Sequence, residues 1–215
     1  INSEDHTQKK ITSIVDDISN LEAILLSAIH FKANWKYQFD KKLAQNKFFY
    51  GMTSQSTVQM MSAKQKFWYR ETKSAQLLIL EYKNSQLTAL IILPKSSEQF
   101  ETALNSGNLS ASLQLEEVTF QLPKFELQNK FELKPTLEKL GVSKIFSKID
   151  CTKTLGGELR VDQIVQKTFI KVDKEGTEAA AVTAVMKTLS MVEKKGIKMI
   201  CNKPFWFVLQ MEKTP

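Results

Sequence analysis

Two apolar runs separated by a short polar break set the strongest limit on what this chain can become. Ala75-Gln76-Leu77-Leu78-Ile79-Leu80-Glu81-Tyr82 and Leu87-Thr88-Ala89-Leu90-Ile91-Ile92-Leu93 flank Lys83-Asn84-Ser85-Gln86. Each run is far shorter than the roughly 20 residues that cross a bilayer, and too apolar to lie freely in water. The pair predicts a β-hairpin inside a core. The stretch from Leu21 to Trp35 (LEAILLSAIHFKANW) reads as a strand buried on both faces, with a helix as the competing reading because Ala and Leu favour helices.

The remaining elements follow from shorter signals. Ser96 and Gln99 have capping-box spacing ahead of Phe100, Ala103 and Leu104, which predicts a short helix. Val118, Phe120 and Leu122 alternate, stop at Pro123 and resume at Phe125 and Leu127, so the proline belongs at a bend or an edge. Leu133, Leu137 and Leu140 share a helical face, with Pro135 early and Gly141 just past the end. Gln163 to Asp173 predicts a strand and Pro204 to Gln210 a last buried one. Strands and helices mix without a βαβ rhythm, so the class is α+β with more than one sheet.

Length and composition agree with one continuous unit: 215 residues, 42% hydrophobic, with only 7 Gly and 5 Pro. The formal charge of +7 is a poor guide to a partner, because only Arg70 and Arg160 are arginine and the lysines are scattered, densest at Lys194, Lys195 and Lys198. Bidentate phosphate and base contacts favour arginine, so a solvated surface is expected, with no nucleic acid and no membrane partner. Cys151 and Cys201 have no CxxC or Cys/His spacing, so neither a disulfide framework nor a zinc site is expected. Asn108-Leu109-Ser110 is a glycan acceptor pattern, which favours an extracellular over a cytoplasmic location. The ends, Ile1-Asn2-Ser3 and Glu212-Lys213-Thr214-Pro215, resemble neither natural terminus, so a fragment is expected.

Catalytic signals are sparse. There is no Gly-x-Ser-x-Gly elbow, no phosphate-binding glycine loop and no His-Glu-x-x-His, and His6 and His30 lack catalytic neighbours. His30, between Ile29 and Phe31, reads as a core or edge histidine, and Cys151 as a structural thiol. A hydrolase is therefore the weaker class, and no cofactor or metal is expected.

The informative segment lies between the last two strands, from Asp173 to Met191. At period two, Thr177, Ala179, Ala181, Thr183 and Val185 form a face of small or modest residues, opposite Glu178, Ala180, Val182, Ala184 and Met186. Such a strand could enter a crowded sheet at little steric cost. A helix capped at Thr177 competes on pattern alone.

Glu175-Gly176-Thr177-Glu178-Ala179-Ala180-Ala181 resembles the reactive-loop hinge of inhibitory serpins. Ile29-His30-Phe31-Lys32-Ala33-Asn34-Trp35 with Phe39-Asp40, then Val58-Gln59-Met60-Met61, Leu122-Pro123-Lys124-Phe125 and Asn202-Lys203-Pro204-Phe205 resemble further serpin signatures in their usual order. The resemblance covers essentially the whole chain and implies a single, partial serpin domain over 1–215. It implies several β-sheets, surrounding helices and an exposed reactive loop at about 174–198, with the family's first helices and final strand absent here.

It also implies a monomeric inhibitor that acts as a suicide substrate and is not an enzyme, the alternative being a serpin-folded carrier or chaperone. A serine protease cleaves the bait, and the hinge, Glu175 to Thr183 with Val182 on the outward parity, inserts as an extra strand and traps the acyl-enzyme. The family's spacing places the reactive bond at Ser190-Met191, or at Leu189-Ser190. Leu189 suits a chymotrypsin-like or cathepsin G-like protease, and Ser190 an elastase-like one. Lys187 would attract a trypsin-like protease but shortens the inserting segment. At the sheet opening, Ser27 and Gln166 stand where the family usually has Asn and His, which implies easier opening. At the loop base Trp35 and Lys124 match, but Lys174 replaces the usual acid partner of Lys124, with Glu175 as its substitute. Ala33 replaces a common glycine, a minor change where φ is negative.

Overall fold

The computed structural model describes residues 21–104, 113–150, 157–177 and 196–211. In chain order the elements are β1 (Ala23–Phe31), β2 (Ala33–Asn34), β3 (Gln45–Tyr50), β4 (Gln55–Glu71), β5 (Ala75–Glu81), β6 (Leu87–Pro94), α1 (Phe100–Leu104), β7 (Gln114–Pro123), β8 (Phe125–Glu132), α2 (Lys134–Lys139), β9 (Ile149–Asp150), β10 (Glu158–Leu159), β11 (Val161–Val172), β12 (Gly176–Thr177), β13 (Ile197–Ile200) and β14 (Trp206–Met211). They fall into two compact units, one from the residues up to Phe31 with Glu126–Ile170, the other from Lys32–Phe125 with the residues from Lys171 on.

The larger unit is built on a seven-stranded sheet in the order β13-β7-β4-β5-β6-β14, with β3 also on β4. The expected hairpin is its centre: β5 and β6 pair antiparallel from Ala75↔Pro94 to Glu81↔Thr88. Leu78, Leu90, Ile91 and Ile92 are fully buried, each adding about 1.5–3 kcal/mol of apolar burial. The polar break holds Asn84 at φ 54, a left-handed conformation that Asn tolerates better than bulkier residues.

Strand β4 organises the sheet because it changes partners along its 17 residues. It pairs with β3 up to Gln45↔Met60, with β7 from Met60↔Pro123 to Tyr69↔Gln114, and with β5 from Trp68↔Ile79 to Glu71↔Gln76. The sheet also curls, since Gln76 on β5 donates its Nε2 to the Lys198 carbonyl on β13 at 3.1 Å although β4 and β7 lie between them in the pairing order. Pro123 ends β7, as the bend reading required.

Two expectations for this unit are corrected. The short helix forms, but Ser96 makes no side-chain cap; a 3₁₀ turn at Ser97–Gln99 precedes α1 and brings the Ser96 hydroxyl to Glu98 instead, at 3.3 Å. Strand β14 pairs with β6 but is not buried throughout. It ends the strand order, and its half-buried residues alternate with open ones such as Met211 (68% exposed).

In the smaller unit β1 and β11 pair in parallel, from Ala23↔Val161 to Phe31↔Ile170, and β8 pairs with β11. The strand reading of the Leu21 run holds and the helix reading fails. Burial on both faces also fails: Ile24 and Leu26 pack against Val165 and Phe169, while the opposite parity leaves Leu25 and Ile29 about half exposed, at 50% and 48%. Helix α2 ends as expected, with Gly141 at φ +85 and bonds from Gly141 N to Glu138 O and Val142 N to Leu137 O, a Schellman pattern. Leu140 does not share the half-buried face of Leu133 and Leu137, because as the C-cap it leaves helical geometry (ψ 5) and stands 74% exposed.

Candidate functional site

A clasp of backbone and indole bonds in the larger unit holds the point where the chain leaves β11. Three consecutive carbonyls there are taken by the segment after β2. Trp35 Nε1 donates to Asp173 O at 2.9 Å, Phe39 N to Lys174 O at 2.9 Å, and Trp35 N to Glu175 O at 3.0 Å. Asp173 closes the turn itself, its Oδ1 accepting from Glu175 N at 2.9 Å, the bond of an Asx turn.

Trp35 can hold this position because it is fixed from behind. It is buried, stacked on Tyr82 with ring centroids 4.5 Å apart and met edge-on by Phe39 at 6.5 Å. The flanking backbone is tied to the β5–β6 turn by Lys36 N to Glu81 O and Lys83 N to Asn34 O, both 2.8 Å, and Lys36 Nζ pairs with Glu81 at 2.9 Å. The clasp thus rests on the rigid hairpin.

Above the clasp the chain turns into β12, which lies between two strands. Thr177 pairs with Val172 of β11 on one side and with Ala33 of β2 on the other, and Gly176 pairs with Asn34. Among the described non-glycine residues only Asn84 has positive φ, so Ala33 sits in ordinary extended backbone and fits where a glycine is common. Among the described residues, the buried Asn34 Oδ1 has no hydrogen-bond partner. Among the described residues no three His, Cys, Asp or Glu side chains gather into a metal-type cluster. The arrangement can hold a chain end and start a strand, which is mechanical chemistry.

The family profile described as Serpin (serine protease inhibitor) matches residues 1–215. The chain belongs to the serpin family. It is 33% identical to the antitrypsin of Bombyx mori over 97% of its own length and 58% of that protein's. Among solved structures it superposes on Serpin48, described as a highly specific serpin in the insect Tenebrio molitor, with a TM-score of 0.78 at 28% identity, covering 97% of this chain and 59% of that one. Human thyroxine-binding globulin, complexed with its hormone, shares the fold at a TM-score of 0.78 and 23% identity, over 98% of this chain and 58% of that one. The chain thus spans somewhat over half the length of these serpins.

The serpin fold brings together some of the residues singled out in the sequence. Trp35, Lys174, Glu175, Gly176 and Thr177 meet at the clasp. Ser27 and Gln166 are register partners of β1 and β11 in the smaller unit, both half-buried. Lys124 is exposed at the β7–β8 bend, its N–H donating to Gln59 O at 2.8 Å, while Lys174 is held through its own carbonyl by Phe39. The hinge residues Glu178, Ala179, Ala180, Ala181, Val182 and Thr183, and Leu189, Ser190 and Met191, lie outside the described residues, as do Cys151 and Asn108. His30 is half-buried against Phe169 at 5.4 Å. The Cys201 thiol is buried, which pushes its pKa up and keeps it an inert thiol.

Sequence reasoning missed Tyr82, Gln38 and the Asp173 carboxylate. Gln38 Nε2 reaches Glu175 O at 3.5 Å. The Asp173-x-Glu175 spacing was a readable Asx-turn signal; the contact of Trp35 with Tyr82 had none.

Proposed function

We propose that this serpin inhibits a serine protease as a suicide substrate. The observation that carries the reading is the position of β12, with Thr177 hydrogen-bonded between Val172 and Ala33 directly above the clasp. In this reading Gly176 and Thr177, the second and third hinge residues, already stand between strands, so the remainder, Glu178 to Thr183, has a seeded path for insertion.

The ladder geometry favours completion. Strands β1 and β11 run parallel, and a segment that follows β11 and folds back runs antiparallel to both. Insertion replaces one parallel ladder by two antiparallel ones, which are more stable per residue. It must part Ser27 from Gln166, a pair of short or flexible polar side chains with neutral hydrogen bonds at most. After a protease cuts the bait and forms its acyl-enzyme, the freed segment inserts and carries the protease with it.

In this reading residues 1–215 belong to a single serpin domain with its reactive loop at about 174–198. The scissile bond is Ser190-Met191, with Leu189-Ser190 as the alternative, and the targets are chymotrypsin-like, cathepsin G-like or elastase-like serine proteases. Lys124 and Glu175 complete the loop base. The partner is protein alone, and the working form is a monomer. A carrier function is the second reading, prompted by the shared fold with thyroxine-binding globulin.

The test is to mix the full-length protein with a panel of serine proteases and look for a covalent complex that survives boiling in detergent, with mass analysis of the released C-terminal peptide. A trapped complex supports the inhibitor reading. Cleavage near Leu189 with free protease throughout, and no rise in melting temperature on cleavage, would establish the carrier class instead.

A further inference from the structure

The larger unit carries a cleft that the reactive-loop reading leaves unused. Where β5 curls towards β13, an open cleft of about 350 Å³ is lined by Glu71, Gln76, Lys95, Lys198 and Lys203, at the low end of the roughly 300–1,000 Å³ of small-ligand sites. Three lysines there meet one carboxylate. Lys95 Nζ lies 2.7 Å from Glu71 Oε1, and Lys203 Nζ donates to Lys95 O at 2.8 Å. The Lys198 ammonium has no ion-pair partner among the described residues. Among the described residues that line it, the cleft therefore holds two more ammonium groups than carboxylates.

The walls are fixed by bonds that do not use the Lys198 ammonium. Gln76 Nε2 donates to Tyr69 Oη at 2.8 Å and to Lys198 O at 3.1 Å, and Tyr69 Oη donates to Glu71 Oε2 at 3.2 Å. The hydrogen bond from Lys95 holds the Glu71 carboxyl below its ordinary range, so that carboxylate stays charged and engaged. The ends of β4 and β5, the residue after β6, and β13 are thus joined around one small basic hollow.

We infer that this cleft binds a compact polyvalent oxyanion, a phosphate or sulfate group, held by Lys95, Lys198 and Lys203. Ammonium groups are point charges with three rotatable donors each, which suits a tetrahedral oxyanion and does not require the planar fork that arginine gives a carboxylate. Lys198 lies on β13, where the proposed loop ends, whereas Lys95 follows β6 and Lys203 follows β13. A bound anion bridges β13 to the hairpin and adds to its ladder with β7.

The experiment is a thermal unfolding series on the full-length protein at fixed ionic strength, with inorganic pyrophosphate as the free anion and a sulfated disaccharide as the chain-borne one. A saturable rise in melting temperature is expected with at least one of them, and whichever binds more tightly names the source. Lys198→Gln and Lys203→Gln should each weaken apparent binding roughly two- to fivefold, and Lys64→Gln, at an exposed lysine on β4, should leave it unchanged. Calorimetric titration of pyrophosphate gives the same ranking without unfolding. The site is overturned by an absence of saturation with both anions, or by full binding retained in the Lys198→Gln, Lys203→Gln double variant with native circular dichroism.

Discussion

The indole Nε1 of Trp35 donates a 2.9 Å hydrogen bond to the carbonyl oxygen of Asp173 across 138 residues of chain. With the Trp35 N–H on Glu175 O, one residue secures both sides of the turn from which the proposed loop departs. The foot of the loop depends on an aromatic ring whose own support is the β5–β6 hairpin.

Trp35→Phe keeps much of the stacking on Tyr82 but removes the indole donor. Leaving the Asp173 carbonyl short of its partner should cost about 1–2 kcal/mol, read as a lower denaturant midpoint with an unchanged slope. The turn should loosen with it, so proteolysis near residue 175 should accelerate. A midpoint equal to that of the unaltered protein would show that the clasp is not carried by this bond.

Thr177→Arg tests insertion. If Thr177 shares the inward small-residue face with Ala179, Ala181 and Thr183, the guanidinium must be buried unpaired, at a cost of several kcal/mol. Each 1.36 kcal/mol is a factor of ten in partition. The yield of detergent-stable complex should fall at least tenfold while the loop is still cut, measured as moles of protein needed to block one mole of protease. An unchanged yield would rule out strand insertion through this face.

Tyr69 makes stability fall in alkali. Burial, with the nearby Glu71 charge, pushes its pKa from the ordinary 10.0 up to about 12, against the opposing hydrogen bond from Gln76. The fold therefore favours the neutral phenol, and the unfolded chain ionises first. This contribution is complete below pH 10 and is lost as pH climbs towards 12. Melting curves between these limits should fall more steeply for the unaltered protein than for Tyr69→Phe, and parallel curves would contradict it.

Gly141→Ala probes the end of α2. At φ +85 an added Cβ is strained, although nothing lies within 4 Å of it, so the penalty is conformational. A loss of about 1 kcal/mol is expected, and a substitution to Asn should recover part of it. Chemical denaturation of the three proteins side by side makes the comparison.

How far the sequence could be read depends on what each signal encodes. The β5–β6 hairpin was legible because both faces are buried and a polar break supplies the turn. The C-terminus of α2 was legible because Gly141 has one obvious conformational use. Strand β4 was not read, since Lys64, Lys66 and Arg70 interrupt its apolar residues and its three partner strands divide its length into different environments. The open sides of β1 and β14 were misjudged for a related reason, since an apolar run records the presence of a hydrophobic face and says nothing about what covers it. At the site, resemblance singled out Trp35 and the hinge, while the placement of Ser27 opposite Gln166 comes from the register of β1 on β11. Tyr82 was invisible, because its partnership with Trp35 exists only once the hairpin has folded.

The two strands beyond the loop are bound into the sheet independently of the chain that leads to them. Strand β13 is laddered to β7, and β14 to β6. Continuity of the polypeptide between Thr177 and Gly196 is therefore dispensable for keeping those strands in place. A nick there should yield two fragments on a denaturing gel and a single particle in solution, so the molecule can lose a covalent bond and still act as one body.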